Sequence, residues 1–210
     1  MRKKMVLMIF GFIFCSLLIM FTALGVQAED IEEVNSYLGV SYNTYCLSEF
    51  QRINREDYDV DEEINRGFSF YGGAEYDLSE AGIQNWKAGA EIEYMQVQYS
   101  ELDLSLSNLG LLVTGSYQLD GIDEGLPETF SLAGGAGLYR AHLMDREVDQ
   151  GVKDEIFIGP GFKLGLKGGY PVYQNINLGG RVFYRYARPH SEGDLNFSGL
   201  EAGAYLNANF

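Results

Sequence analysis

The chain has 210 residues, with 15 Lys and Arg against 30 Asp and Glu, 46% hydrophobic residues, 15 Tyr, 13 Phe, 26 Gly, four Pro and two Cys. That length suits one domain, its apolar and aromatic content excludes a disordered chain, and a net charge of −15 makes nucleic acid a poor partner. Glycine is abundant without the three-residue period of collagen, so it belongs inside folded elements.

Arg2, Lys3 and Lys4 precede an apolar run from Met5 to Leu24, and Val26-Gln27-Ala28 supplies small residues where a signal peptidase cuts. This is the pattern of a secretory signal peptide over residues 1–28. The run is also long enough to span a bilayer as a helix, so an uncleaved anchor is the competing reading. Cys15 follows the bulky Phe14, which disfavours a lipidation site. Cleavage would remove three basic residues and no acidic one, leaving residues 29–210 as one domain of net charge −18. Cys46 would then be alone, so no internal disulfide is expected. No later apolar stretch is long enough for a membrane helix, which leaves membrane strands open.

The mature chain alternates with period two in eight segments. In 34–45, Leu38, Val40 and Tyr42 oppose Asn35, Tyr37, Ser41 and Asn43. In 67–77, Phe68, Phe70, Ala74 and Tyr76 oppose Ser69, Tyr71, Gly73 and Glu75. Residues 86–98 set Trp86, Ala88, Ala90, Ile92 and Tyr94 against Lys87, Gly89, Glu91 and Glu93. The pattern continues in 109–119, 129–139 and 156–167, the last with Lys163 and Lys167 on its polar side. Segment 175–187 alternates strictly, with Arg181 and Arg185 opposing Val182, Tyr184 and Tyr186. In 200–210, Leu200, Ala202, Ala204, Leu206, Ala208 and Phe210 face away from Glu201, Gly203, Tyr205, Asn207 and Asn209. Polar loops near 46–66, 99–108, 142–155 and 187–194 alternate with shorter links near 78–85, 120–128 and 168–174. Eight strands with this asymmetry predict an antiparallel, up-and-down transmembrane β-barrel.

Alternation alone does not say which face looks outward, because a lipocalin-like barrel would enclose the apolar side around a ligand. Three features favour apolar side out. The polar faces combine glycine with opposite charges, which suits a narrow lumen. Tyr42, Phe68, Tyr76, Trp86, Tyr94, Tyr117, Phe130, Tyr184 and Tyr186 cluster near strand ends, where headgroup-level girdles would lie. The final residue of the sequence is an outward-parity aromatic, Phe210. A closed wall follows, since hydrocarbon offers backbone groups no hydrogen-bond partner. Inside it, Glu75, Lys87, Glu91, Glu93, Lys163, Lys167, Arg181 and Arg185 are expected to form a paired network that plugs the lumen, led by Arg181, Arg185, Glu91 and Glu93. Arg140 and His142 fall on outward parity and are read as lying above the hydrocarbon edge, snorkelling or past a bulge.

The leader, the eight alternating strands, the segments Gly159-Pro-Gly-Phe-Lys-Leu-Gly-Leu-Lys and Asn175-Ile-Asn-Leu-Gly-Gly-Arg-Val-Phe-Tyr-Arg-Tyr, and the ending Ala202-Gly-Ala-Tyr-Leu-Asn-Ala-Asn-Phe210 resemble the small outer-membrane β-barrels of the opacity and outer-membrane-protein-A-like superfamily. The resemblance covers nearly the whole mature chain but is one of architecture. It implies outer-membrane lipid as surroundings and the barrel-assembly machinery as a partner that reads the last strand at Leu206, Ala208 and Phe210. It names no surface ligand, substrate or cofactor.

Other constellations are weaker. Asp57, Asp59 and Asp61 resemble the opening of a calcium loop, yet Glu62 replaces the turn glycine and Phe68 the bidentate Glu, so no metal site is assigned. Gly134-Gly135-Ala136-Gly137 lacks the dinucleotide fingerprint. His142 and His190, with Asp145 and Ser191, follow no recognised catalytic spacing. The expected function is non-enzymatic, in the envelope or at the surface, with acidic external loops. The competitor is a secreted lipocalin-like carrier of a lipophilic molecule.

Overall fold

The computed structural model describes residues 34–45, 66–79, 81–99, 104–119, 129–145, 153–189 and 196–209. Strands form where alternation is cleanest: β1 (Val34–Thr44), β2 (Arg66–Asp77), β3 (Trp86–Tyr99), β4 (Leu104–Gln118), β5 (Thr129–Asp145), β6 (Lys153–Tyr173), β7 (Ile176–Ala187) and β8 (Gly199–Asn209). Each pairs antiparallel with its sequence neighbours, and β1 closes the ring on β8 through Asn35↔Asn209 to Asn43↔Glu201. Closure gives every strand a partner on both edges, as a wall in hydrocarbon requires.

The apolar parity faces out. Leu38, Phe68, Ile92, Leu111, Leu164, Val182 and Leu206 are all exposed, and Val113 reaches 73%. Asn35, Ser41, Ser69, Glu91, Thr114, Ser131, Lys163 and Arg185, on the other parity, are buried. A carrier with an apolar cavity needs the reverse, so the lipocalin-like reading is excluded by orientation. Aromatic pairs mark both ends of the apolar band: Tyr42 with Phe68 at 5.4 Å and Phe162 with Tyr186 at 5.2 Å towards one end, Trp86 with Tyr117 at 5.4 Å towards the other.

Near the ends of β3, β4 and β5 that lie on the same side as the 45–65 and 188–198 connections, the polarity of the two faces inverts. Above Tyr94 the strand puts Gln96 outside and buries Met95 and Val97; in β4, Ser107 and Ser105 lie outside while Leu106 is buried; in β5, Arg140 is exposed between the buried Tyr139 and Ala141. A wall that is apolar outside and then polar outside has crossed from one solvent to another. The inverted part encloses a small apolar cluster of Tyr45, Met95, Val97, Leu106, Leu112, Tyr139, Ala141, Ala187 and Phe197. We call this the loop end, and the end with the 78–85, 119–128 and 174–175 links the turn end; the expected alternation of long and short connections does not hold throughout, since 100–103 at the loop end is shorter than 78–85 and 119–128.

Three expectations about boundaries are corrected. The 168–174 link is strand: β6 continues through Gly169↔Gly179 and Tyr170↔Leu178, shifts register between Pro171 and Tyr173, and turns only at Gln174-Asn175. The connections expected at 99–108 and 142–155 are shorter, because β4 starts at Leu104, β5 runs to Asp145 and β6 starts at Lys153. Arg140 and His142 lie past no bulge, since β5 pairs in unbroken register with β4 and with β6. The Gly134–Gly137 run sits within β5. In the β2–β3 link, Leu78 donates its N–H to Trp86 O at 2.9 Å, and Gly82 and Asn85 take positive φ of 80° and 66°, a conformation both tolerate.

Inward glycines meet tyrosine rings. Gly39 lies between Tyr71 and Tyr205 in the register, and its Cβ would collide with the Tyr71 ring. Gly110 and Gly161 flank the ring of Tyr139, and Gly179 lies against that of Tyr205. Directly opposed residues on a sheet face stand only about 5 Å apart, so a ring folded flat over its neighbour needs that neighbour to lack a side chain. The lumen glycines thus make room for aromatics as much as for charges.

Candidate functional site

Every charge expected in the lumen faces inward, and the structure brings all but one into ion pairs. Alternation puts Glu91 and Glu93 two residues apart on β3, Lys163 and Lys167 on β6, and Arg181 and Arg185 on β7. Strands β3 and β7 stand four places apart in a ring of eight, so pairs between them brace opposite walls.

Glu91 is the central acceptor. It pairs with Lys163, takes Arg181 Nη1–H at 2.8 Å and accepts the Tyr37 hydroxyl at 2.9 Å. Glu93 accepts Arg185 Nη1–H at 2.5 Å and the Tyr139 hydroxyl at 3.5 Å, with Lys163 Nζ at 3.8 Å. Nearer the turn end, Lys167 Nζ donates to Glu75 Oε1 at 2.6 Å and also contacts Oε2. The network includes a carboxylate the sequence reading left out: Glu201 of β8, which pairs with Arg181 and lies 3.5 Å from Arg185 Nη1. Its signal was present, an acidic residue on inward parity between Leu200 and Ala202. Which cation it meets depends on the β7–β8 register, which sets it opposite Phe183 and so diagonal to both arginines, and that the local pattern does not carry.

Aromatic rings and backbone complete the belt. The Arg181 guanidinium lies over the Tyr71 ring, whose hydroxyl donates to Ala204 O at 3.1 Å. Arg185, with no exposed surface, also donates from Nε to Phe197 O at 3.2 Å and from Nη1 to Asn43 Oδ1 at 3.2 Å. Charges removed from water are tolerated only when paired, and each of these has at least one ion pair, while Arg181 Nε and Arg185 Nη2 have no hydrogen-bond partner among the described residues. Arg185 therefore ties the charged belt to the apolar cluster above it, where Phe197 packs edge-on against Tyr45 at 6.1 Å.

Lys87 differs. It is half-buried and faces the lumen, yet no carboxylate of the described residues lies within ion-pair distance of it. Asp77, its register partner, accepts the Ser79 N–H at 2.9 Å. Lys87 borders a polar cavity of about 90 Å3 on the turn-end side of the belt.

Of the residues expected in the last-strand signal, Leu206 is exposed and Ala208 pairs with Ser36 and Ile176, while Phe210 lies outside the described residues. Residues 1–28, Asp57, Asp59, Asp61, His190 and Ser191 also lie outside them. His142 sits on the outward parity of β5. Among the described residues, no group of three or more His, Cys, Asp or Glu is placed to hold a metal ion.

No protein-family model matches the sequence, and neither does any curated protein. Solved structures do match. The attachment invasion locus protein Ail of Yersinia pestis shares 13% identity over 86% of this chain and 99% of its own, with a TM-score of 0.55. Ail in complex with the heparin analogue sucrose octasulfate matches at 11% identity over 86% and 99%, again with a TM-score of 0.55. Neisserial surface protein A matches at 16% identity over 85% and 96%, with a TM-score of 0.45. With its closed ring of eight antiparallel strands, apolar side out, the chain has the fold of the eight-stranded outer-membrane β-barrels.

Proposed function

We propose that the protein is a non-enzymatic barrel of a cell's outer membrane, exported by a cleaved signal peptide at residues 1–28, with residues 29–210 as its barrel domain. Its lumen is plugged by the charge belt, and it serves the envelope or meets the surroundings through acidic external loops. The observation that carries this reading is the distribution of polarity: exposed Leu111, Val113, Leu164 and Val182 outside, fully buried Glu93, Arg185 and Glu201 inside. Water outside that wall would leave a continuous apolar surface far larger than soluble monomers expose. The plug is supported by ion pairs that cross the lumen and by the apolar cluster stacked on them at the loop end.

The loop sequences give the surface role its direction. Residues 46–65, 100–103, 146–152 and 190–195 carry three basic against thirteen acidic side chains. Such loops favour cationic partners and repel polyanions. In assembly, the last strand presents Leu206, Ala208 and Phe210 to the barrel-assembly machinery, and deletion of Phe210 lowers the amount of folded barrel in the membrane.

Fractionation with heat-modifiable gel migration tests the placement. The protein should require detergent for release from outer membranes and should migrate faster folded than boiled. Recovery in a detergent-free periplasmic fraction would overturn it. Planar-bilayer recording tests the plug separately: a large, steady conductance would show an open lumen and leave the membrane placement intact.

A further inference from the structure

We propose that the turn-end cavity of the lumen is a binding site for a small oxyanion, with Lys87 as its charge anchor and the Thr114 hydroxyl as a donor. The inference goes beyond the envelope role and does not depend on whether the lumen conducts.

The cavity follows from the sequence of three adjacent strands. Thr114 on β4 stands in register between Gly89 of β3 and Gly135 of β5, with Ser131 and Ala133 further along β5. These small residues leave one wall thin, while β6 and β7 extend Lys163, Lys167 and Arg181 from across the lumen. A void of about 90 Å3 results, room for roughly six waters or one small oxyanion.

Its chemistry selects for negative charge. The lining carries four cations, Lys87, Lys163, Lys167 and Arg181, against two carboxylates, Glu75 and Glu91. Glu75 is taken by Lys167, and Glu91 by Lys163 and Arg181, which leaves Lys87 as the lining cation with no carboxylate of the described residues within ion-pair distance. Asp77, the register partner of Lys87, attracts it from beyond ion-pair distance while its Oδ1 accepts the Ser79 N–H, so the ammonium keeps hydrogen-bonding capacity towards the cavity. An independent sign is Thr114, only 7% exposed, whose Oγ1 has no hydrogen-bond partner among the described residues. A buried hydroxyl left unpaired costs about 1–3 kcal/mol, and an oxyanion accepting from it and from Lys87 would recover that loss. Asn207 Oδ1, also on the lining, is likewise unpartnered, and its side-chain amide can turn to donate.

The test uses the full mature barrel, isotope-labelled and folded in micelles. Sodium phosphate is titrated in one arm, sodium acetate in a second, and sodium chloride at matched ionic strength in a third, while backbone amide shifts are followed. Saturable shifts at Lys87 and Thr114 with phosphate, acetate or both support the site, and the arm that saturates identifies the oxyanion. Lys87→Gln should weaken that binding about tenfold and Lys87→Arg should keep most of it, with both variants retaining folded-barrel migration on gels. Thr114→Val should weaken it about threefold. Shifts that track the chloride arm, no saturation up to tens of millimolar, or a Lys87→Gln variant that binds as the parent does would overturn the proposal.

Discussion

The two ends of the lumen are built on opposite principles. At the loop end, Met95, Leu106, Ala141 and Phe197 close over a fully buried Arg185 whose guanidinium reaches Glu93, Asn43, Glu201 and the Phe197 carbonyl. At the turn end, Thr114, Lys87 and Asn207 surround a cavity with hydrogen-bonding capacity left over. One end is sealed by apolar side chains around paired charges, even though Tyr45 Oη, both polar atoms of Asn108 and Arg185 Nη2 have no hydrogen-bond partner among the described residues. The other leaves its polar groups around an open space. Stability is therefore concentrated towards the loop end, and any small-molecule chemistry towards the turn end.

Breaking the belt should have the largest effect. Arg185→Met removes the nearest cation of the fully buried Glu93 and a neighbour of the fully buried Glu201, and should cost about 3–5 kcal/mol in urea unfolding of the folded barrel. Removing the ring above it comes next: Phe197→Ala, at a site with no exposed surface, should cost about 3 kcal/mol by the same assay. A smaller loss is expected from overpacking. Gly161→Ala would set a methyl carbon 2.5 Å from the Tyr139 ring and should cost about 1–3 kcal/mol, whereas Gly115→Ala, with its nearest neighbour at 3.8 Å, should be close to neutral. At the other end, Lys87→Gln should change stability by no more than about 0.5 kcal/mol, because it breaks no ion pair among the described residues. A Lys87→Gln cost as large as that of Arg185→Met would erase the contrast between the ends.

The sequence pattern carries the wall well and the interior less well. Period-two alternation specifies which face each residue joins, because a one-residue slip would send Glu91 and Arg181 into lipid together with their neighbours. Strand ends were less legible. Gly168-Gly169-Tyr170-Pro171 has the composition of a loop, yet it pairs with β7 because proline needs no donor at a register shift. The apolar cluster at the loop end went unread for a different reason. Met95 and Val97 continue the inward parity of Glu91 and Glu93 but reverse its polarity, so a reading that tracks apolar positions sees the pattern fade when it has inverted. That inversion, shared by β3, β4 and β5, is a sequence-level marker of where the wall leaves the bilayer. Glu201 shows the limit of parity alone, which puts it inside; only the β7–β8 register, which sets it opposite Phe183 and diagonal to Arg181 and Arg185, puts it beside those cations.

Lipid touching the outer face is what the whole distribution of polarity requires. Its most direct test is the set of nuclear Overhauser contacts made by the methyl groups of Leu111, Val113, Leu164 and Val182 with the barrel in lipid nanodiscs. Cross-peaks from all four to acyl-chain methylenes, and none to bulk water, are expected. Cross-peaks to water at these methyls, with none to lipid, would contradict it.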